Sequence, residues 1–178
     1  MSDNFKKELL KIIAAKKQAE DDEINQRIAQ NRTSIKNFEN KLNRIKEITE
    51  QSIRPFVDEA NIILSENLGY NLLLNDANLS NYESTIDNWN KNIERSNLPL
   101  NPNYVIQLNI SLNKNNTKTN IPNKRNRTPQ LMIQFYTNQE EVQITEVGSR
   151  TKPQPIPWKE MNSTITQRII SDLIESNI

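Results

Sequence analysis

The chain has 178 residues, a net charge of +1, no cysteine, no histidine and two glycines. That excludes thiol and imidazole catalysis, thiolate or histidine metal sites, disulfides, and any glycine-rich phosphate loop. Hydrophobic residues make up 34%, a low share that allows one ordinary domain, or a small domain with an appendage.

No catalytic residue, cofactor site or metal site is marked by spacing anywhere in the chain, and a non-enzymatic protein is expected. The opening residues Met1-Ser2-Asp3-Asn4-Phe5-Lys6-Lys7 lead to Leu9-Leu10-Lys11-Ile12-Ile13. Lys11 interrupts this short apolar stretch, and Lys16-Lys17 follow where a cleavage site would need small residues. It does not read as a secretory signal. No apolar run approaches the ~20 residues of a membrane span. A cytoplasmic location and no membrane partner are expected. Asparagine occurs 28 times, so the sequons at Asn31, Asn78 and Asn126 carry no weight.

Residues 3–54 lack glycine and proline and favour helix. Ile24, Ile28, Asn31, Ile35, Phe38, Leu42 and Ile45 recur at alternating spacings of four and three. This is the pattern of a coiled-coil seam of about three heptads. Asn31 either fixes register within that seam or is one more asparagine in an asparagine-rich chain. Ahead of it, Glu20-Asp21-Asp22-Glu23 is a solid acidic run. Consecutive helical residues point around the whole cylinder, so these carboxylates do not converge on a cation.

At Pro55 the helix should end, kink or restart, since proline lacks the amide donor and disfavours α geometry at Arg54. A second helix is expected over 55–67, with apolar Phe56, Val57, Ala60, Ile63 and Leu64 and with Gly69 as its stop signal. Residues 70–74 read as a short strand. Ser80-Asn81-Tyr82-Glu83 has capping-box form, and Tyr82, Ile86, Trp89 and Ile93 predict a helix over about 81–95.

Tyr104, Ile106, Leu108, Ile110 and Leu112 alternate with Gln107, Asn109 and Ser111, which predicts a half-buried strand. Residues 131–137 and 141–147 predict two more, joined by a short turn and therefore antiparallel. Pro153, Pro155 and Pro157 predict an extended connector, with Trp158 packed beneath it. Thr164-Ile165-Thr166-Gln167 reads as a capping box, ahead of a final helix with Ile165, Ile169, Ile170, Leu173 and Ile174 on one broad face.

The order of elements implies an α+β chain. A long, coiled-coil-like N-terminal helix (1–54) serves as an oligomerisation arm. It precedes a domain (55–178) with three or four antiparallel strands covered on one face by helices. Residues 113–130 carry Lys114, Lys118, Lys124, Arg125 and Arg127 with no acid. They form either phosphate contacts, by counterion release, or a mobile solubilising loop.

Three stretches, Ile53-Arg54-Pro55, Gln134-Phe135-Tyr136-Thr137-Asn138-Gln139-Glu140 and Thr164-Ile165-Thr166-Gln167, resemble a group of small uncharacterised bacterial proteins. Those proteins have a charged N-terminal helix and a compact α+β C-terminal half. The resemblance covers roughly the C-terminal two-thirds and implies architecture alone; the asparagine-rich insert at 75–103 departs from it. The expected function is a protein-interaction or assembly module that oligomerises or docks through the N-terminal helix. The alternative is a nucleic-acid-binding accessory protein using the 113–130 loop.

Overall fold

A computed structural model describes residues 3–94, 104–114, 128–148 and 153–178. Helix α1 (Asp3–Ile48) runs through a wide π turn (Thr49–Ile53) into α2 (Arg54–Asn67). Pro55 causes the wide turn. Its ring would collide with the carbonyl four residues back, and widening the turn relieves the clash. The Arg54 N–H therefore reaches the Thr49 carbonyl, and the Thr49 hydroxyl donates to the Ile45 carbonyl at 2.9 Å. Gly69, at φ +67, lets the chain leave α2 and enter the first strand.

The elements that follow are β1 (Tyr70–Asn75), α3 (Ala77–Lys91), β2 (Val105–Lys114), β3 (Gln130–Tyr136), β4 (Glu141–Glu146), β5 (Ile156–Pro157), a 3₁₀ turn (Trp158–Glu160) and α4 (Ser163–Glu175). The five strands form one antiparallel sheet in the order β1-β2-β3-β4-β5. The expected α+β class is present, with one strand beyond the expected three or four. The addition is the last part of the proline segment, where Ile156 pairs with Val142. Trp158 is buried there, and its indole N–H donates to the Glu141 carbonyl at 2.9 Å.

Strict alternation builds the core. Ile106, Phe135 and Val142 stand in one cross-strand row, and Leu108 and Ile133 in the next. All five are at most 2% exposed, because every second side chain points to the covered face. The opposite face carries amides: Gln107, Gln134 and Gln143 align across β2, β3 and β4. Helices α2, α3 and α4 and the second half of α1 enclose the apolar side.

Two expected helix starts move. Helix α3 begins at Ala77, so Ser80 and Glu83 lie within it and form no capping box. Helix α4 is capped by Asn162, whose side chain accepts from the Ile165 N–H at 3.1 Å. In both places the cap lies upstream of the residues whose types suggested one.

Helix α3 also closes a gap in the sheet. Strand β1 ends opposite Asn109, which leaves the first half of β2 paired with β3 on one side and without a strand on the other among the described residues. The Asn78 amide donates to the Gln107 carbonyl at 3.0 Å, and the Tyr82 hydroxyl points to the Val105 carbonyl at 3.4 Å. Side chains from a helix thus satisfy groups that would otherwise form an open edge.

Candidate interaction surface

The seven seam residues divide sharply. Asn31, Ile35, Phe38, Leu42 and Ile45 are all at most 4% exposed, within the chain's own core. Phe38 stacks among Tyr82, Trp89 and Tyr104, with ring centroids 5.0–5.8 Å away. Lys41 donates to the Thr137 carbonyl at 2.6 Å and lies 3.7 Å from Glu140, while Lys46 pairs with Glu83. This is a correction: the expected oligomerisation seam is, over these five residues, the intramolecular contact of α1 with α3 and the sheet. The arm accordingly ends near residue 30, well before the expected boundary at 54. A four-and-three repeat signals an apolar stripe, whichever chain supplies the facing surface.

Asn31 carries a cost within this core. Its Nδ2 reaches the Ile93 carbonyl at 3.4 Å, and its Oδ1 is buried without a partner among the described residues. The position is polar where packing asks for an aliphatic residue.

Ile24 and Ile28 belong to the other part of α1. Residues 4–27 are exposed throughout, over about 36 Å at ~1.5 Å per residue. Phe5, Leu9, Leu10, Ile12, Ile13 and Ile24 are each 41–64% exposed. Phe5, Leu9, Ile12 and Ile13 follow helical spacing and share one face. Glu8 and Arg27 aside, the charges on this segment are sorted. Lys6, Lys7, Lys11, Lys16 and Lys17 precede Glu20, Asp21, Asp22 and Glu23. The Gln18 amide donates to Asp22 at 2.9 Å along the helix. Residues 9–13 read from sequence as a failed signal peptide; the spacing of Phe5, Leu9 and Ile12 is the local sign of an apolar helix face.

A second apolar surface lies between α2 and α4. Phe56, Ala60, Ile63, Leu64, Ile170 and Ile174 line an open groove of about 330 Å³. Val57 and Leu64 are the α2 residues buried in the core, while Ile63 is 57% exposed at the groove. The expected sheet-covering stripe therefore splits between core and groove.

Of the five basic loop residues, Lys114 closes β2, with its ammonium 5.7 Å from the Tyr70 ring centroid. Lys118, Lys124, Arg125 and Arg127 lie outside the described residues. Arg54 bridges Glu50 and Asp76. Its guanidinium is held above its ordinary range, chiefly by the Glu50 hydrogen bond against the opposing effect of burial, with Asp76 adding to it. Among the described residues no group of three or more acidic side chains is placed to hold a metal ion, and no helix is long and apolar enough to cross a membrane.

No family model, curated protein or solved structure matches the chain.

Proposed function

We propose that the protein is a non-enzymatic interaction or assembly module, docking through the N-terminal part of α1 and presenting the α+β domain. One observation carries this reading: six large apolar side chains between Phe5 and Ile24 stand in solvent on one projecting helix. Helices in proteins draw most of their stability from packing an apolar face, and here no described residue of the chain covers these side chains.

The test is a photo-crosslinking side chain at Leu10, with a control at the exposed Glu175, in cells of the source organism. Discrete adducts at position 10 and none at 175 are expected. An arm that yields no adduct overturns the reading.

The second reading, a nucleic-acid-binding accessory protein, draws support from five cations and no acid over residues 113–130. A run of this kind binds phosphate by counterion release.

A further inference from the structure

We infer that the partner of the arm is a second copy of this chain, and that the two arms pair antiparallel. The inference rests on the reading that the arm is a docking element, and it adds the identity of the partner.

Charge order decides the direction. The first half of the arm is net basic, with five lysines and one acid, Glu8, from Lys6 to Lys17, and the acidic run Glu20-Asp21-Asp22-Glu23 follows. Parallel arms would set lysines against lysines and carboxylates against carboxylates. Antiparallel arms set each basic half against the other copy's acidic run, and opposite charges flanking a helix pair select orientation.

One register makes the charge pairing specific. Setting Phe5 level with Ile24 of the other copy sets Lys6 level with Glu23 and Lys7 with Asp22; Glu8 and Leu9 come level with Asp21 and Glu20, and the two lysine pairs outweigh the one like-charge pair. The dyad then falls between Ala14 and Ala15, whose small side chains allow close approach at the centre. Ile12 and Ile13 face Lys17 and Lys16, whose methylene stems cover apolar surface while their ammonium groups reach water. A two-fold axis uses the same patch twice, so one exposed stripe is sufficient and the assembly closes at two copies.

The experiment is sedimentation equilibrium of the full chain in physiological salt. Wild type should be a dimer, and Leu9→Asp with Ile12→Asp should sediment as a monomer. Lys6→Glu with Lys7→Glu should weaken the dimer at least tenfold, and so should Asp22→Lys with Glu23→Lys. All four substitutions together should restore wild-type affinity within about threefold. These positions are exposed, so unchanged thermal unfolding verifies each fold.

A wild type that stays monomeric to high micromolar concentration overturns the inference. Charge-reversed pairs that dimerise as well as wild type overturn it too, because parallel or purely apolar pairing is indifferent to them. Binding of monomeric wild type to vesicles of anionic and zwitterionic phosphatidyl lipids, lost in the Leu9→Asp, Ile12→Asp variant, overturns it in favour of a membrane surface. Position-10 adducts containing only other proteins, on a monomeric chain, remove the second copy and leave the docking role standing. An arm without adducts removes both.

Discussion

The side-chain amide of Asn61 hydrogen-bonds both backbone groups of Leu72. Its Nδ2 donates to the Leu72 carbonyl at 2.9 Å, and its Oδ1 accepts from the Leu72 N–H. Among the described residues strand β1 pairs with β2 alone, so Asn61 takes the place of a single peptide unit of a further strand. It ties α2 to the sheet and blocks the outer edge of β1 at its middle. An open edge recruits strands from other molecules, and here one helical amide stands in the way.

Replacing Asn61 with Leu removes both bonds and keeps the volume. Stability should fall by about 1–3 kcal/mol, the cost of stranding two partly buried backbone groups. Thermal unfolding followed by circular dichroism measures the loss. Light scattering on warming should show earlier aggregation than wild type.

The domain boundary is testable by truncation. A chain beginning at residue 27 should unfold cooperatively, at a temperature close to that of the full chain. A chain beginning at residue 52 should not fold. It lacks Ile35, Phe38, Leu42, Ile45 and Ile48, all buried. At about 1.5–3 kcal/mol for each buried side chain, the loss is comparable to a whole domain's stability of about 5–15 kcal/mol. A cooperative transition in the shorter chain would place the core elsewhere.

Asn31→Leu should stabilise the protein. The substitution removes a buried Oδ1 without a partner among the described residues and a long bond to Ile93, and adds apolar contact beside Ile35. A gain of about 1 kcal/mol is expected, from removal of the desolvation penalty. A urea midpoint below that of wild type would show that the amide does more for packing than its bonds indicate.

Tyr82 gives a pH signature. Burial, with a further contribution from Tyr104, pushes its phenol above the ordinary value of 10.0. The unfolded chain therefore releases this proton at lower pH than the folded one. The stabilising contribution is complete below that ordinary value and fades as pH rises through the folded pKa. Tyr82→Phe should lose less stability than wild type between about pH 9 and 11, the range spanning the phenol titration. Denaturation midpoints across that range decide it, and parallel curves would refute it.

The nucleic-acid reading makes a salt prediction. Binding through residues 113–130 should weaken steeply with salt, with a log–log slope of about 0.9 per neutralised phosphate on duplex DNA. Changing Lys114, Lys118, Lys124, Arg125 and Arg127 to Ser should flatten that slope by several units. Fluorescence anisotropy with labelled single-stranded and duplex oligonucleotides is the measurement. Absence of binding at low salt removes this reading.

Much of the fold was legible in local pattern. Alternation from Tyr104 to Leu112 and from Leu131 to Phe135 identified the central strands, because a two-residue period has one structural meaning when half the positions are apolar. Pro55 and Gly69 marked the ends of α2 through backbone sterics. The absence of cysteine and histidine removed whole classes of chemistry. Other features depended on contacts distant in sequence. The stripe from Ile35 to Ile45 announced a covered helix face, yet only the packing of Phe38 against Tyr82, Trp89 and Tyr104 showed that the cover comes from the same chain. Phe5, Leu9 and Ile12 carry the same kind of spacing and stand exposed. Periodicity records which side of a helix is apolar; what lies against that side is set by long-range packing, which local spacing does not encode.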